Sequence, residues 1–156
     1  MKYEFRITKY NPSLRNESGH YLIDEWTEFT DIGKSFNGAI LTHNEYRKIE
    51  VKYINSAIMM LAEAGIEDMM IESLENHQGN KDIQNNQLVA IGQIPVVIKS
   101  ILRNKYWCKL RAPRRAFLHF GWDYYMYVGV SRPLNESPLK ITNTGLYIEK
   151  YNSPYT

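Results

Sequence analysis

The apolar positions of this chain change their period several times, and each change marks an element. Tyr3, Phe5 and Ile7 alternate with polar side chains across residues 2–10, which predicts a half-buried strand ended by Asn11-Pro12-Ser13. Residues 13–24, with Gly19 and His20, read as a polar loop. Glu25-Trp26-Thr27-Glu28-Phe29-Thr30-Asp31 predicts a short second strand, followed by turns at Gly33 and at Asn37-Gly38. The period then becomes helical. Thr42-His43-Asn44-Glu45 is a capping box, and Tyr46, Ile49, Tyr53, Ala57 and Leu61 recur on one face, widened by Ile54, Ile58 and Met60. Gly65 stands where a left-handed helix end belongs.

Residues 66–74 predict a strand and residues 75–87 a loop. A second helix is expected over residues 94–104, with Pro95 in its first turn and Val97, Ile98, Ile101 and Leu102 buried. Tyr106–Leu110 predicts a strand and Ala112–Ala116 a turn. From Leu118 the even positions are all apolar: Phe120, Trp122, Tyr124, Met126, Val128 and Val130. A two-residue turn near 121–123 would swap that parity, so the pattern requires one long bent strand or a hairpin with an odd-numbered loop. An odd loop at Pro113-Arg114-Arg115 likewise pairs Leu110 with Leu118, Cys108 with Phe120 and Tyr106 with Trp122. Ser137-Pro138 opens a short helix that Gly145 ends, and Leu146–Tyr151 is a final strand. The expected architecture is one α+β domain over residues 1–156: a largely antiparallel sheet with one long helix and one or two shorter ones packed on it.

Composition adds constraints. The 156 residues can bury a core without staples, and the 44% hydrophobic content is that of an ordinary folded domain. Cys108 is the single cysteine, so no internal disulfide and no cysteine-rich zinc site is expected. Charges interrupt the first residues, and no apolar run approaches the roughly 20 residues of a membrane span. These features imply a cytoplasmic protein with no membrane partner. The net charge of +2 divides unevenly: residues 1–80 hold 8 basic and 13 acidic side chains, residues 81–156 hold 11 and 4. The first half is therefore acidic and the second basic, which can give two unlike faces.

The sequence carries no phosphate-cradling glycine loop, dinucleotide fingerprint, nucleophile elbow or zinc-protease motif, and its four histidines have no metal-ligand spacing. No enzyme activity, cofactor or metal is expected. One pair stands as an exception: His119 and Asp123 share odd parity, and a general base oriented by a carboxylate would fit a ribonuclease. A four-residue span along a strand is about 13 Å, too long for direct contact unless the chain folds back. The basic residues Lys109, Arg111, Arg114 and Arg115, with Trp107, His119, Asp123, Tyr125 and Tyr127, form a candidate face for nucleic acid, since aromatic platforms beside cations suit single strands. The acidic residues make the opposite candidate. Asp24, Glu25, Glu28 and Asp31 cluster early, and Glu67, Asp68, Glu72 and Glu75 follow the long helix; an acidic patch steers a basic partner.

Several segments carry a resemblance: Glu25-Trp26-Thr27 with Asp31-Ile32-Gly33-Lys34, Leu41-Thr42 with Glu45-Tyr46, Ile101-Leu102-Arg103 with Trp107-Cys108-Lys109-Leu110, and His119-Phe120-Gly121-Trp122-Asp123-Tyr124-Tyr125-Met126-Tyr127-Val128-Gly129. On these the chain resembles immunity proteins of bacterial polymorphic and contact-dependent growth-inhibition toxin systems. The resemblance implies a non-catalytic role: binding a cognate toxin domain, often a nuclease, and blocking its active cleft. It says nothing of the fold. The alternative is a nucleic-acid-binding or ribonuclease-like protein using the basic, aromatic C-terminal β region.

Overall fold

A computed structural model describes residues 1–14 and 24–153. The loop expected over residues 13–24, with Gly19 and His20, falls largely outside them. Strand β1 (Tyr3–Thr8) leads to a 3-10 turn at Pro12–Leu14. A small hairpin, β2 (Ser35–Phe36) and β3 (Ala39–Ile40), precedes helix α1 (His43–Glu63). Then come β4 (Asp68–Glu75), β5 (Leu88–Ala90), helix α2 (Ile94–Leu102), β6 (Trp107–Ala112), β7 (Ala116–Phe120), β8 (Met126–Val130), helix α3 (Ser137–Asn143) and β9 (Tyr147–Lys150). Seven of these strands form one antiparallel sheet in the order β5-β4-β6-β7-β8-β1-β9. The α+β reading of the sequence is the fold observed.

Local chemistry explains the element ends. The Thr42 hydroxyl accepts from the Glu45 N–H at 3.2 Å and starts α1. At its end Gly65 takes φ 77°, its N–H reaches the Ala62 carbonyl, and the Ile66 N–H reaches Leu61, which together satisfy the last carbonyls. Asn37 and Gly38 both adopt positive φ, the two-residue turn that matches strand twist. The parity arguments hold as well. Leu110 pairs with Leu118 across the three-residue loop 113–115, and Phe120 pairs with Met126 across the five-residue loop 121–125.

Three expectations need correction. Residues 25–31 form no strand. The Asp31 carboxylate accepts from the Thr27 and Glu28 N–H groups at 2.9 and 3.3 Å, and these local bonds take donors that a ladder would need. A 3-10 turn at Phe29–Asp31 results. The expected loop 75–87 is followed by β5, which was not anticipated. Trp122 does not pair with Tyr106 on the core face: it lies in a 3-10 turn outside the sheet and is 85% exposed.

The core lies between the sheet and the helices. Tyr46, Tyr53, Ala57, Met60 and Leu61 of α1 meet the inner sheet face, where Phe5, Ile7, Ile71, Leu110, Leu118, Met126 and Val128 are buried. The second sheet face is closed as well in the middle, since β7 and β8 are buried at every position. There Phe117 stacks on His119 at 5.1 Å, His119 meets Tyr127 at 5.6 Å, and Tyr127 meets Tyr151 at 5.9 Å.

Candidate functional site

Five segments, distant in sequence, meet at a cleft of about 450 Å³. Ile101 and Leu102 at the end of α2, with Phe120 and Tyr124, give it an apolar floor. Trp107 at the start of β6 forms a wall, held by an indole N–H that donates to the Phe120 carbonyl at 2.9 Å. The opposite wall is the turn joining β7 to β8, which carries Trp122. The turn is closed by the Gly121 N–H on the Tyr125 carbonyl at 2.8 Å, and Asp123 and Tyr124 both take left-handed φ, 57° and 62°. That conformation costs roughly 1–2 kcal/mol per L-residue. It swings the Trp122 side chain out of the sheet while returning Tyr124 to the core.

Tyr124 anchors this turn from beneath. Its hydroxyl lies 2.5 Å from the Leu102 carbonyl and 3.0 Å from the Tyr46 hydroxyl, and Tyr46 donates to Glu50 at 2.7 Å. The Tyr46 proton goes to Glu50 and the Tyr124 proton to the Leu102 carbonyl, which can only accept. Glu50 is buried, and Arg103 closes on both of its oxygens at 2.9 and 3.0 Å. Trp26, Phe29, Tyr46, Tyr53 and Tyr124 surround this network with edge-to-face and tilted ring contacts between 5.1 and 6.3 Å. The floor of the cleft is thus fixed by a closed polar network inside an aromatic shell.

The rim is acidic. Glu28, Glu75 and Asp123 line the cleft, and no lysine, arginine or histidine does among the described residues. None of the three is in an ion pair among the described residues, and Glu28 accepts from the Thr30 hydroxyl. Two neighbouring cations are occupied elsewhere. Arg103 holds Glu50, and the Lys9 ammonium lies over the rings of Tyr10 and Trp26 at 4.0 and 4.2 Å. Burial pulls Lys9 down to about 8, against the opposing pull of Glu25, Asp123 and Asp31. A smaller cavity of about 210 Å³ adjoins the cleft through Glu75, Asn104 and Trp107, and Lys105 and His77 line that one.

The other acidic residues are dispersed. Asp24 is exposed and Glu25 half-buried, beside the cleft residues Thr27 and Glu28 in the chain. Asp31 is buried and structural. Burial works to raise its pKa, but the Thr27 N–H, the Lys34 ammonium and the Glu28 N–H outweigh that and hold it below the ordinary value. Glu67 and Asp68 are exposed at the opposite end of β4 from Glu75, about 20 Å away along the strand. Glu72 is paired with Arg111 at 2.9 Å.

The basic and aromatic residues are dispersed too. Arg114 and Arg115 are exposed in the β6–β7 loop, where Arg115 donates to the Gly65 carbonyl at the end of α1. Lys109 and Arg111 are half-buried on the second sheet face, where Tyr125 sits under the Arg6 guanidinium at 4.7 Å. His119 is 2% exposed, and its Nε2 lies 2.6 Å from the Ser153 hydroxyl. Burial pushes its pKa down to about 4, helped by Lys109 and Arg111. Asp123 sits on the exposed turn at the cleft, so the fold does not assemble the acid–base pair considered from the sequence. Cys108 is buried, and burial pushes its thiol up to about 12, which makes it a core side chain.

Sequence reasoning named Glu28, Glu75, Trp107 and Asp123, but in separate groups. It missed that they converge, and it missed Trp122 as a surface residue. No histidine, cysteine and carboxylate group able to hold a metal occurs among the described residues, and no described helix is long and apolar enough to cross a membrane. Compared with known proteins, the chain matches no family model, no curated protein and no solved structure, which leaves the chemistry of the cleft as the basis for assigning a role.

Proposed function

We propose that this chain is an immunity protein that binds a cognate bacterial toxin domain, a nuclease in the first instance, and neutralises it in the cytoplasm by covering its active cleft. One observation carries the reading: a preformed cleft presents a nearly fully exposed tryptophan beside three carboxylates that have no ionic partner among the described residues. Tryptophan is among the residues that dominate protein interfaces when a partner desolvates them. Carboxylates not neutralised by a neighbouring cation steer a cationic surface toward the cleft, and a nuclease presents such a surface to its nucleic-acid substrate. The rigid floor supports the same role, because a preordered interface loses little entropy on binding. The resemblance in Trp107-Cys108-Lys109-Leu110 and His119–Gly129 places framework residues of this cleft among its markers.

The test is co-expression with the toxin domain encoded next to the chain. Growth rescue together with co-purification of a complex is the expected outcome. Growth arrest that the wild-type chain does not relieve, with no complex recovered, refutes the proposal.

A further inference from the structure

We infer that the cleft between Trp107 and Trp122 receives an arginine-bearing loop of the bound protein. This inference rests on the reading of the chain as a toxin-binding protein and specifies the chemistry of the contact. Three features select the occupant. The volume of about 450 Å³ exceeds what one side chain fills and lies in the range that encloses a small ligand, so a short loop enters rather than a flat surface. The charge on the walls is of one sign: Glu28, Glu75 and Asp123 come from three segments and have no ionic partner among the described residues. The aromatic surface stands where the carboxylates do. Trp122 is 85% exposed in a turn whose backbone fixes its direction, and Trp107 is locked by its bond to Phe120.

A flat cation that stacks on an indole while donating several hydrogen bonds to carboxylates satisfies all three. The guanidinium group is that cation, whereas an ammonium is a compact and more strongly hydrated charge. A nucleic acid is the opposite choice, since its phosphates would meet the carboxylates directly. The interior supplies a parallel within the same fold: the Arg6 guanidinium lies over Tyr125 and Tyr151 at 4.7 and 4.0 Å while bonding Glu149 at 2.7 Å.

Two kinds of contact predict two kinetic signatures. Carboxylates at a rim act mainly on association, and a desolvated aromatic anchor acts mainly on dissociation. The triple variant Glu28→Gln, Glu75→Gln, Asp123→Asn is expected to slow association with the toxin domain by about tenfold or more at low salt and to remove most of the salt dependence. Trp122→Ala is expected to speed dissociation by roughly tenfold or more with association nearly unchanged. Both alter exposed side chains, and circular dichroism with a thermal melt checks that each remains folded.

The partner-free arm titrates the full chain with a blocked Gly-Arg-Gly peptide and with its citrulline counterpart, following the tryptophan indole resonances by NMR. Saturable shifts of Trp107 and Trp122 with the arginine peptide, absent with citrulline and absent in the triple variant, are expected. Equal shifts with both peptides, or none with either, overturn the inference. Wild-type rescue that the triple variant and Trp122→Ala match in full, with unchanged binding rates, also overturns it while leaving the toxin-binding reading intact. Loss of wild-type rescue itself refutes that reading, and the peptide titration then still decides what the cleft accepts.

Discussion

The Phe117 ring packs directly against Gly129, its partner across the β7–β8 pair: a Cβ on residue 129 would sit 2.1 Å from Phe117 Cε2. The glycine is therefore a space requirement. It lets the aromatic ring cover the second sheet face and begin the stack that runs through His119 to Tyr127.

Gly129→Ala is accordingly expected to destabilise the protein by about 1–3 kcal/mol, the usual cost of overpacking. Chemical denaturation measures it. Adding Phe117→Leu should recover part of the loss, because it removes the clashing ring edge; two additive losses would mean that Phe117 and Gly129 do not constrain each other.

Glu50→Ala leaves the Arg103 guanidinium without its bidentate partner and removes the acceptor of Tyr46. A loss of roughly 3–5 kcal/mol is expected for breaking such a buried pair. The double variant Glu50→Leu, Arg103→Met should be markedly closer to wild type, since an apolar pair of similar volume needs no desolvation. A double variant less stable than Glu50→Ala alone would show that the pair contributes beyond mutual compensation.

His119 gives a pH signature. Its imidazole takes up a proton near pH 6.5 in the unfolded chain but only near pH 4 in the fold, because burial disfavours the charged form. Above about pH 6.5 both states hold it neutral, and it contributes no pH dependence. As pH falls from about 6.5 to about 4 the unfolded chain gains a proton that the fold excludes, and stability is lost, by at most about 3 kcal/mol. Urea titrations from pH 7 to pH 4 should show wild type losing stability relative to His119→Phe across that window. A constant gap between the two would place the histidine's pKa at its ordinary value.

How much of this could be read in advance depends on how far apart the deciding residues lie. The ends of α1 follow from Thr42, Glu45 and Gly65, all within one helix and its caps, and the hairpin registers follow from parity across short loops. Expectation failed where a contact was not a matter of period. Asp31 turned residues 25–31 away from the ladder by binding their N–H groups. Strand β5 is three residues long with exposed Leu88 and Ala90, too short for an alternation to declare itself. The even parity of Trp122 promised burial, but the left-handed pair at Asp123 and Tyr124 lies between the two strands that parity describes. No apolar period marks Glu50 for burial, and Arg103, 53 positions later, supplies the partner its buried carboxylate needs. The cleft was legible only in pieces, because the sheet order brings Glu75 and the loop carrying Asp123 together and Glu28 joins them from a turn outside the sheet.

Asp123 separates stability from binding. Its φ of 57° is strained for an L-residue, so Asp123→Gly relieves strain and gains a net ~0.5 kcal/mol after the entropy that glycine adds to the unfolded chain. The denaturation midpoint should rise while binding to a cationic partner weakens. A fall in the midpoint would reveal a stabilising contact of the carboxylate.

The sheet order has a further consequence for when the cleft exists. Its walls come from residues as far apart as Thr27 and Tyr124: β4 and β6 pair Glu75 with Trp107, and β7 must pair with β6 and β8 to bring the 121–125 loop beside them. Closing such distant pairings is the slow part of folding. A fragment ending before β7 has Glu28, Glu75 and Trp107 but lacks Trp122 and Asp123. The cleft is complete only when the β7–β8 loop stands beside the β4–β6 pair, so a chain truncated ahead of residue 120 loses one whole wall.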